Sequence, residues 1–274
     1  MENLKQMIDE AVGFIRTKTK DSPKLGIILG TGLGGLAKAV KREFEIPYDQ
    51  IPHFPVSTVE SHAGKLLIGM VGGKRVVAME GRFHLYEGYT LKQVTFPVRV
   101  MKALGIETLI VSNAAGGLNP QFNKGDIVLM TDHINFQGDN PLIGKNDDTM
   151  GPRFPDMFNA YDMDLRNLAI QVSIDEKIPI QKGVYVGVTG PTLETAAEYR
   201  MMRILGGDLV GMSTVPEVIV ARHQGTKVLG FSVVTDMGLP DALEACSHQK
   251  IVAVAEIAGP KLSRLIEKIV ERMS

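Results

Sequence analysis

Lys24-Leu-Gly-Ile-Ile-Leu-Gly-Thr-Gly-Leu-Gly-Gly35 is the stretch that decides the fold. Residues 24–29 form a short apolar run, and the glycine cluster follows at its carboxyl end. That combination predicts a buried strand feeding a tight turn. Upstream, Leu4, Met7, Ile8, Ala11, Val12 and Ile15 recur at three- and four-residue steps, so residues 2–18 predict an amphipathic helix with one apolar stripe. Downstream, runs of the same apolar kind occupy 75–80, 107–112, 126–131, 184–189, 208–212 and 228–235. Helical patterns at 91–104, 162–176, 194–205, 215–224 and 248–272 lie among them. Strands alternating with helices imply an α/β fold with helices on both faces of a central sheet. Gly72-Gly73, set between two strand-like runs within 64–82, predicts a hairpin, which makes the sheet mixed. Residues 1–274 read as a single domain. The segment 135–157, rich in Gly, Pro, Asn and Asp, reads as a long irregular loop, and loops of that length usually serve function or an interface.

Composition narrows the classes. Apolar residues are 44% and charged residues 22% of the chain, which is ordinary globular usage and disfavours disorder. Thirty basic against thirty-one acidic side chains give a net charge of -1, with no block of like charge to follow a nucleic acid or an anionic membrane. Any bound anion is therefore small and held locally. No run reaches the length of a membrane span. A lone Cys246 cannot form an intrachain disulfide, and the opening residues lack the apolar core of a secretory signal, so a cytoplasmic location is expected.

Five segments carry chemistry. Gly30-Thr-Gly-Leu-Gly-Gly35 lets backbone N–H groups approach an anion, with the Thr31 hydroxyl as a further donor. It also satisfies G-x-G-x-x-G, but a dinucleotide site wants an acidic residue about 20 positions on, where Gln50-Ile-Pro-His-Phe-Pro55 is a loop. A turn for packing alone is the plain alternative. In Glu80-Gly-Arg-Phe-His-Leu-Tyr-Glu-Gly88, Arg82 and His84 alternate with Phe83 and project to one side of an extended chain. Arginine offers a planar fork to an oxyanion and histidine can donate or shuttle a proton. His62 is another candidate donor. Asn113-Ala-Ala-Gly-Gly-Leu-Asn119 puts small residues after a strand, either to admit a ligand or for steric reasons. Thr189-Gly-Pro-Thr-Leu-Glu-Thr195 reads as a helix start capped by Thr192 or Thr195, with Glu194 in the first turn. In Gly211-Met-Ser-Thr-Val-Pro-Glu217, Ser213 is either an N-cap or an anion donor.

Together these segments, with Phe54-Pro-Val-Ser-Thr-Val59, His62-Ala-Gly64, Thr95-Phe-Pro-Val-Arg99 and Ser112-Asn-Ala-Ala-Gly-Gly117, resemble the trimeric purine nucleoside phosphorylases over nearly the whole chain. The resemblance implies an enzyme that uses inorganic phosphate to split inosine and guanosine, with no metal and no organic cofactor. It places phosphate among Thr31, His62, Arg82, His84, the Ala114 backbone N–H and Ser213. Ribose would lie against Tyr86, Met212 and His248, with Phe154 reaching in from a neighbouring subunit of a homotrimer. The base would meet Glu194, Thr235 and Asp236, flanked by Leu193, Val210 and Gly211.

The chain departs from the family pattern at two positions. Members selective for 6-oxopurines commonly carry asparagine where this chain has Asp236 and an aromatic residue where it has Leu193. Aspartate at that position also occurs in relatives that prefer adenosine or 5′-methylthioadenosine, whereas Glu194 argues for 6-oxopurines. A protonated Asp236 could donate to N7 as asparagine does, because burial without a cationic partner raises a carboxyl pKa.

Overall fold

The computed structural model describes residues 3–30, 34–58 and 63–273. Among these, nine strands join one mixed sheet: β1 (Leu25–Leu29), β2 (Lys41–Pro47), β3 (Lys65–Val71), β4 (Lys74–Glu80), β5 (Thr108–Gly117), β6 (Ile127–Asn135), β7 (Gln181–Gly187), β8 (Leu209–Gly211) and β9 (Lys227–Met237). Their order is β2-β3-β4-β1-β5-β8-β7-β6-β9, and β5 also pairs with β9. The strands from β5 onward therefore close into a ring, which removes one sheet edge. The sequence pattern gave no sign of that closure. Strands β4, β1, β5 and β9 run parallel, so their carboxyl ends meet on one side of the molecule.

Alternation along the strands divides the core into two layers. From β1, Ile28 joins the layer covered by α1 (Leu4–Lys18), α4 (Phe96–Leu104) and α7 (Val215–His223). Leu25, Ile27 and Leu29 face the opposite layer under α2 (Gly34–Ala39), α5 (Met163–Asp175) and α8 (His248–Arg272). The expected α1 stripe is observed, with Ala11 and Ile15 fully buried. Each such aliphatic side chain removed from water contributes about 1.5–3 kcal/mol. Gly72 (φ 52°) and Gly73 (φ 76°) form the expected two-residue hairpin between antiparallel β3 and β4, in a left-handed geometry that suits glycine. Among the described residues no helix is long and apolar enough to cross a membrane.

The structure corrects two sequence expectations and decides two readings that the sequence left open. Residues 91–104 are two helices, α3 (Leu91–Val94) and α4, because Pro97 cannot donate to the carbonyl four residues back. The small residues of 113–117 continue β5 and do not form a turn. Glu194 precedes the N-cap, Thr195, of α6 (Ala196–Ile204) and stands outside the helix. The cap of α7 is Thr214, so Ser213 is not a cap.

Candidate active site

A cavity of about 490 Å³ opens where the carboxyl ends of β1, β4, β5 and β9 converge, with β8 and the start of α8 completing its wall. Thirteen of the residues expected from the sequence line it. Arg82, His84, Ala114 and Ser213 belong to the anion set, and Tyr86, Met212 and His248 to the sugar set. Leu193, Glu194, Val210, Gly211, Thr235 and Asp236 make up the base set. Thr31 and His62 lie outside the described residues. Phe154 is not on the cavity wall; it stands in the long loop with 87% of its surface exposed.

Arg82 anchors the first polar group. It is 2% exposed, yet its guanidinium is compensated on several sides. Nη1 donates to Ser213 Oγ at 2.9 Å and to Thr214 Oγ1 at 2.7 Å, and Nη2 donates to the Ser112 carbonyl at 2.5 Å. The Glu217 carboxylate, equally buried, lies 3.7 Å from Nη1. Burying a cation without such partners costs several kcal/mol. Thr214 Oγ1 also accepts from Asn113 Nδ2 at 2.9 Å. Thr214 itself adopts φ 71° and ψ -50°, with Val215 N donating to Ser213 O at 2.7 Å, which is a γ-turn. A threonine held at positive φ stores strain, and here the strain aims two hydroxyls at one guanidinium.

His84 is fixed from behind. Its Nδ1 lies 2.9 Å from Glu87 Oε1, and its backbone N–H donates to the same oxygen at 2.8 Å. Thr58 donates to the other carboxylate oxygen from both its backbone N–H (2.9 Å) and its hydroxyl (2.6 Å). Burial works to raise the Glu87 carboxyl, but the hydrogen bonds from His84 and Thr58 outweigh it and hold the pKa at about 2. Glu87 therefore stays ionised, and a carboxylate at Nδ1 favours a proton there. Tyr86 stacks on the His84 ring, centroids 4.6 Å apart and planes 14° apart, and burial pushes its phenol up to about 12.

The second group contains two carboxyls. Burial raises Glu194, and the Asp236 charge raises it further. Burial likewise raises Asp236, against the pull of the Thr235 hydroxyl and Lys124. The Thr235 hydroxyl lies 2.9 Å from Asp236 Oδ1 and 3.3 Å from the Ala115 carbonyl. Leu193, Val210 and Gly211 supply apolar surface. A cavity with a cation and hydroxyls in one group and neighbouring carboxyls in another suits a ligand that is anionic in one part and a hydrogen-bond donor in the other. Among the described residues, no cluster of three His, Cys, Asp or Glu side chains could hold a metal ion.

Sequence reading missed Glu87, Asn113, Thr214 and Glu217 as supporting residues. Glu87 was legible in principle, since a glutamate three residues after the residue that starts a helical turn is capping-box spacing. Glu217 was not, because an acid in the first turn of a helix is ordinary. A larger open cleft, about 1330 Å³, lies between the start of α1 and residues 141–150. Its cations, Lys5, Lys92, Arg99 and Lys145, are matched by Asp9, Glu10, Asp147 and Asp148, and among the described residues no strand end lines it. Its size does not make it the site.

Comparison with known proteins agrees with this geometry. Residues 24–271 match the family model described as the phosphorylase superfamily. The chain is 53% identical to purine nucleoside phosphorylase 1 of Bacillus subtilis, over 97% of this chain and 98% of that one. It is 49% identical to the purine nucleoside phosphorylase of Rattus norvegicus over 94% and 92%. The crystal structure of Schistosoma mansoni purine nucleoside phosphorylase in complex with adenosine superposes with a TM-score of 0.93 at 43% identity, covering 100% of this chain and 98% of that one.

Proposed function

Since this chain belongs to the purine nucleoside phosphorylases within the phosphorylase superfamily, we propose that it reversibly cleaves the N-glycosidic bond of ribo- and deoxyribonucleosides such as inosine and guanosine. Inorganic phosphate is the co-substrate, and the products are the free base and a pentose 1-phosphate. The observation that carries this reading is the single cavity joining the Arg82, His84 and Ser213 group to the Glu194 and Asp236 group.

Cleaving the C1′–N9 bond places positive charge on the sugar and negative charge on the departing purine. Phosphate held beside C1′ stabilises the first and then attacks, so no side-chain nucleophile is required. Arg82 and Ser213 now contact each other, and an arriving phosphate takes over donors they share. His84, its Nδ1 tied to ionised Glu87, turns its other ring nitrogen to a phosphate oxygen; Thr31, His62 and the Ala114 N–H complete the set. Tyr86, Met212 and His248 hold the ribose. Positioning and partial desolvation of the phosphate are the main contributions.

Glu194 as a carboxylate accepts the N1–H and any 2-amino hydrogens of a 6-oxopurine. Burial raises both of these half-buried carboxyls, and neighbouring carboxyls resist double ionisation; the proton we assign to the pair sits on Asp236, where it donates to N7 as negative charge grows. Asp236 also favours a second reading, a phosphorylase preferring adenosine or 5′-methylthioadenosine, because a protonated carboxyl tolerates a 6-amino group better than asparagine does. We further propose a single-domain, cytoplasmic homotrimer in which Phe154 enters a neighbouring site. The exposure of Phe154 (87%) and Phe158 (93%) supports a covering partner, and the lone Cys246 accords with a reducing compartment. The test is release of free base from inosine, guanosine and adenosine with and without phosphate. Phosphate-dependent release from inosine and guanosine is expected; adenosine as the sole good substrate would favour the second reading.

A further inference from the structure

Tyr185 is absent from the cavity wall, yet it holds part of that wall from behind. The residue belongs to β7, is fully buried, and joins the same core cluster as Leu209 and Val215. In the parallel pairing of β7 with β8 it stands opposite Leu209, and Gly211, two residues on, faces the same way as Leu209. The phenol leans along the strand to the place a Gly211 side chain would take, so that a Cβ on Gly211 would collide with the Tyr185 hydroxyl. There the hydroxyl accepts from the backbone N–H of Ser213 at 3.3 Å, and among the described residues it is the acceptor this N–H has. The other polar groups of Ser213 are engaged as well. Its carbonyl accepts from the Val215 N–H at 2.7 Å, and its Oγ accepts from Arg82 Nη1 at 2.9 Å. Burial pushes the Tyr185 phenol up to about 12, so the hydroxyl is neutral near pH 7.

We infer that Tyr185 is a positioning residue for phosphate: its hydroxyl holds the Ser213 N–H and so fixes the strained turn that presents the Ser213 hydroxyl beside the Arg82 guanidinium. This rests on the proposed phosphorylase reading and deepens it. Thr214, next in the turn, stands at φ 71°, a conformation that a threonine keeps only where its surroundings impose it. The Tyr185 hydroxyl is one of those constraints. A buried N–H that loses its acceptor costs more than the bond itself contributes, so without the hydroxyl the Met212–Ser213 peptide turns to find another. That rotation carries Ser213 Oγ off Arg82, while the Met212 side chain, upstream of the peptide, stays in place. The bare backbone of Gly211 is the counterpart of the contact, because a side chain there would displace the hydroxyl.

The test compares wild type with Tyr185→Phe, which keeps the ring in the core and removes only the hydroxyl. Wild type is first assayed for phosphate-dependent release of hypoxanthine from inosine. If that fails, the phosphorylase reading falls and the role of Tyr185 with it. With wild type active, Tyr185→Phe is expected to raise the KM for phosphate about tenfold, the scale of one buried donor left without an acceptor. The KM for inosine and kcat should each change less than about twofold, the scale of a neutral substitution. A double-mutant cycle with Ser213→Ala separates positioning from packing. With the Ser213 hydroxyl already removed, adding Tyr185→Phe should move the phosphate KM less than about twofold. A full rise in that background, or equal losses for phosphate and inosine, would assign Tyr185 a packing role alone and overturn the inference. Gly211→Ala, which displaces the hydroxyl while Tyr185 stays intact, is the second variant; it should also raise the phosphate KM, and an unchanged value would contradict the inference. A wild-type phosphate KM in the Phe variant would overturn it outright.

Discussion

Asp236 shows how one side chain connects selectivity, pH and stability. The proton we place on it is the feature that separates this site from one built with asparagine. Asp236→Asn is therefore expected to leave inosine cleavage within about threefold of wild type, on the ordinary scale of a conservative substitution. Adenosine cleavage relative to inosine should stay equal or fall; a rise would contradict the assignment. Stability gives an independent reading. A carboxyl whose folded pKa is raised binds extra protons in the folded state, so it opposes folding progressively as pH climbs through that pKa. Asp236→Asn should then raise Tm at neutral pH, and the gain should vanish below the ordinary aspartate range, where both states are protonated. Thermal melts across that range decide it. Arg82, His84 and Glu194 were visible in the sequence as motif positions, and Asp236 came only through the family resemblance. Glu217 behind Arg82 and Thr58 behind Glu87 were not visible, because they come from distant segments that no local spacing connects; Glu87, three residues from His84, is the exception.

At the scale of elements, the turn from β8 into α7 is where backbone strain and side-chain chemistry meet. Thr214 Oγ1 accepts from both Arg82 and Asn113. Thr214→Val keeps the shape and deletes that acceptor, so it should cost about 1–3 kcal/mol of stability through under-satisfied buried donors. It should also raise the KM for phosphate. Thr214→Ser should preserve both. Calorimetry with phosphate kinetics on the two variants tests this; equal behaviour of Val and Ser would show that the hydroxyl is immaterial. Most elements were legible from apolar periodicity, α1 and β1 most plainly. Strand β2 was not, because five of its seven residues are exposed and charged or edge-facing, leaving no apolar run to read. The extension of β5 through Asn113-Ala-Ala-Gly-Gly117 was hidden for the opposite reason. Residues that resemble a turn locally are drawn into the sheet by pairing with β9 on one side and β8 on the other. Glu194 fell outside α6 because the Thr195–Glu198 capping box, one residue later, offers the better helix start.

Across the whole molecule, the sheet brings separate glycine-rich strand ends to one cavity, while the long loop carries Phe154 away from it. If Phe154 serves a neighbouring subunit, Phe154→Ala should raise the KM for inosine about tenfold, the scale of losing a buried aromatic contact, and leave the phosphate KM near wild type. Mixed assemblies of Phe154→Ala and Glu194→Ala subunits should contain some sites that have both side chains. They should recover activity above the sum of the two variants. A monomer by light scattering with full activity would remove both the trimer and the shared site. The central claim, that phosphate itself attacks the sugar in this cavity, is tested most directly by following inosine and inorganic phosphate with the enzyme by phosphorus NMR. The account expects ribose 1-phosphate to appear in step with hypoxanthine and phosphate to decline equally; free ribose with phosphate unchanged would contradict it.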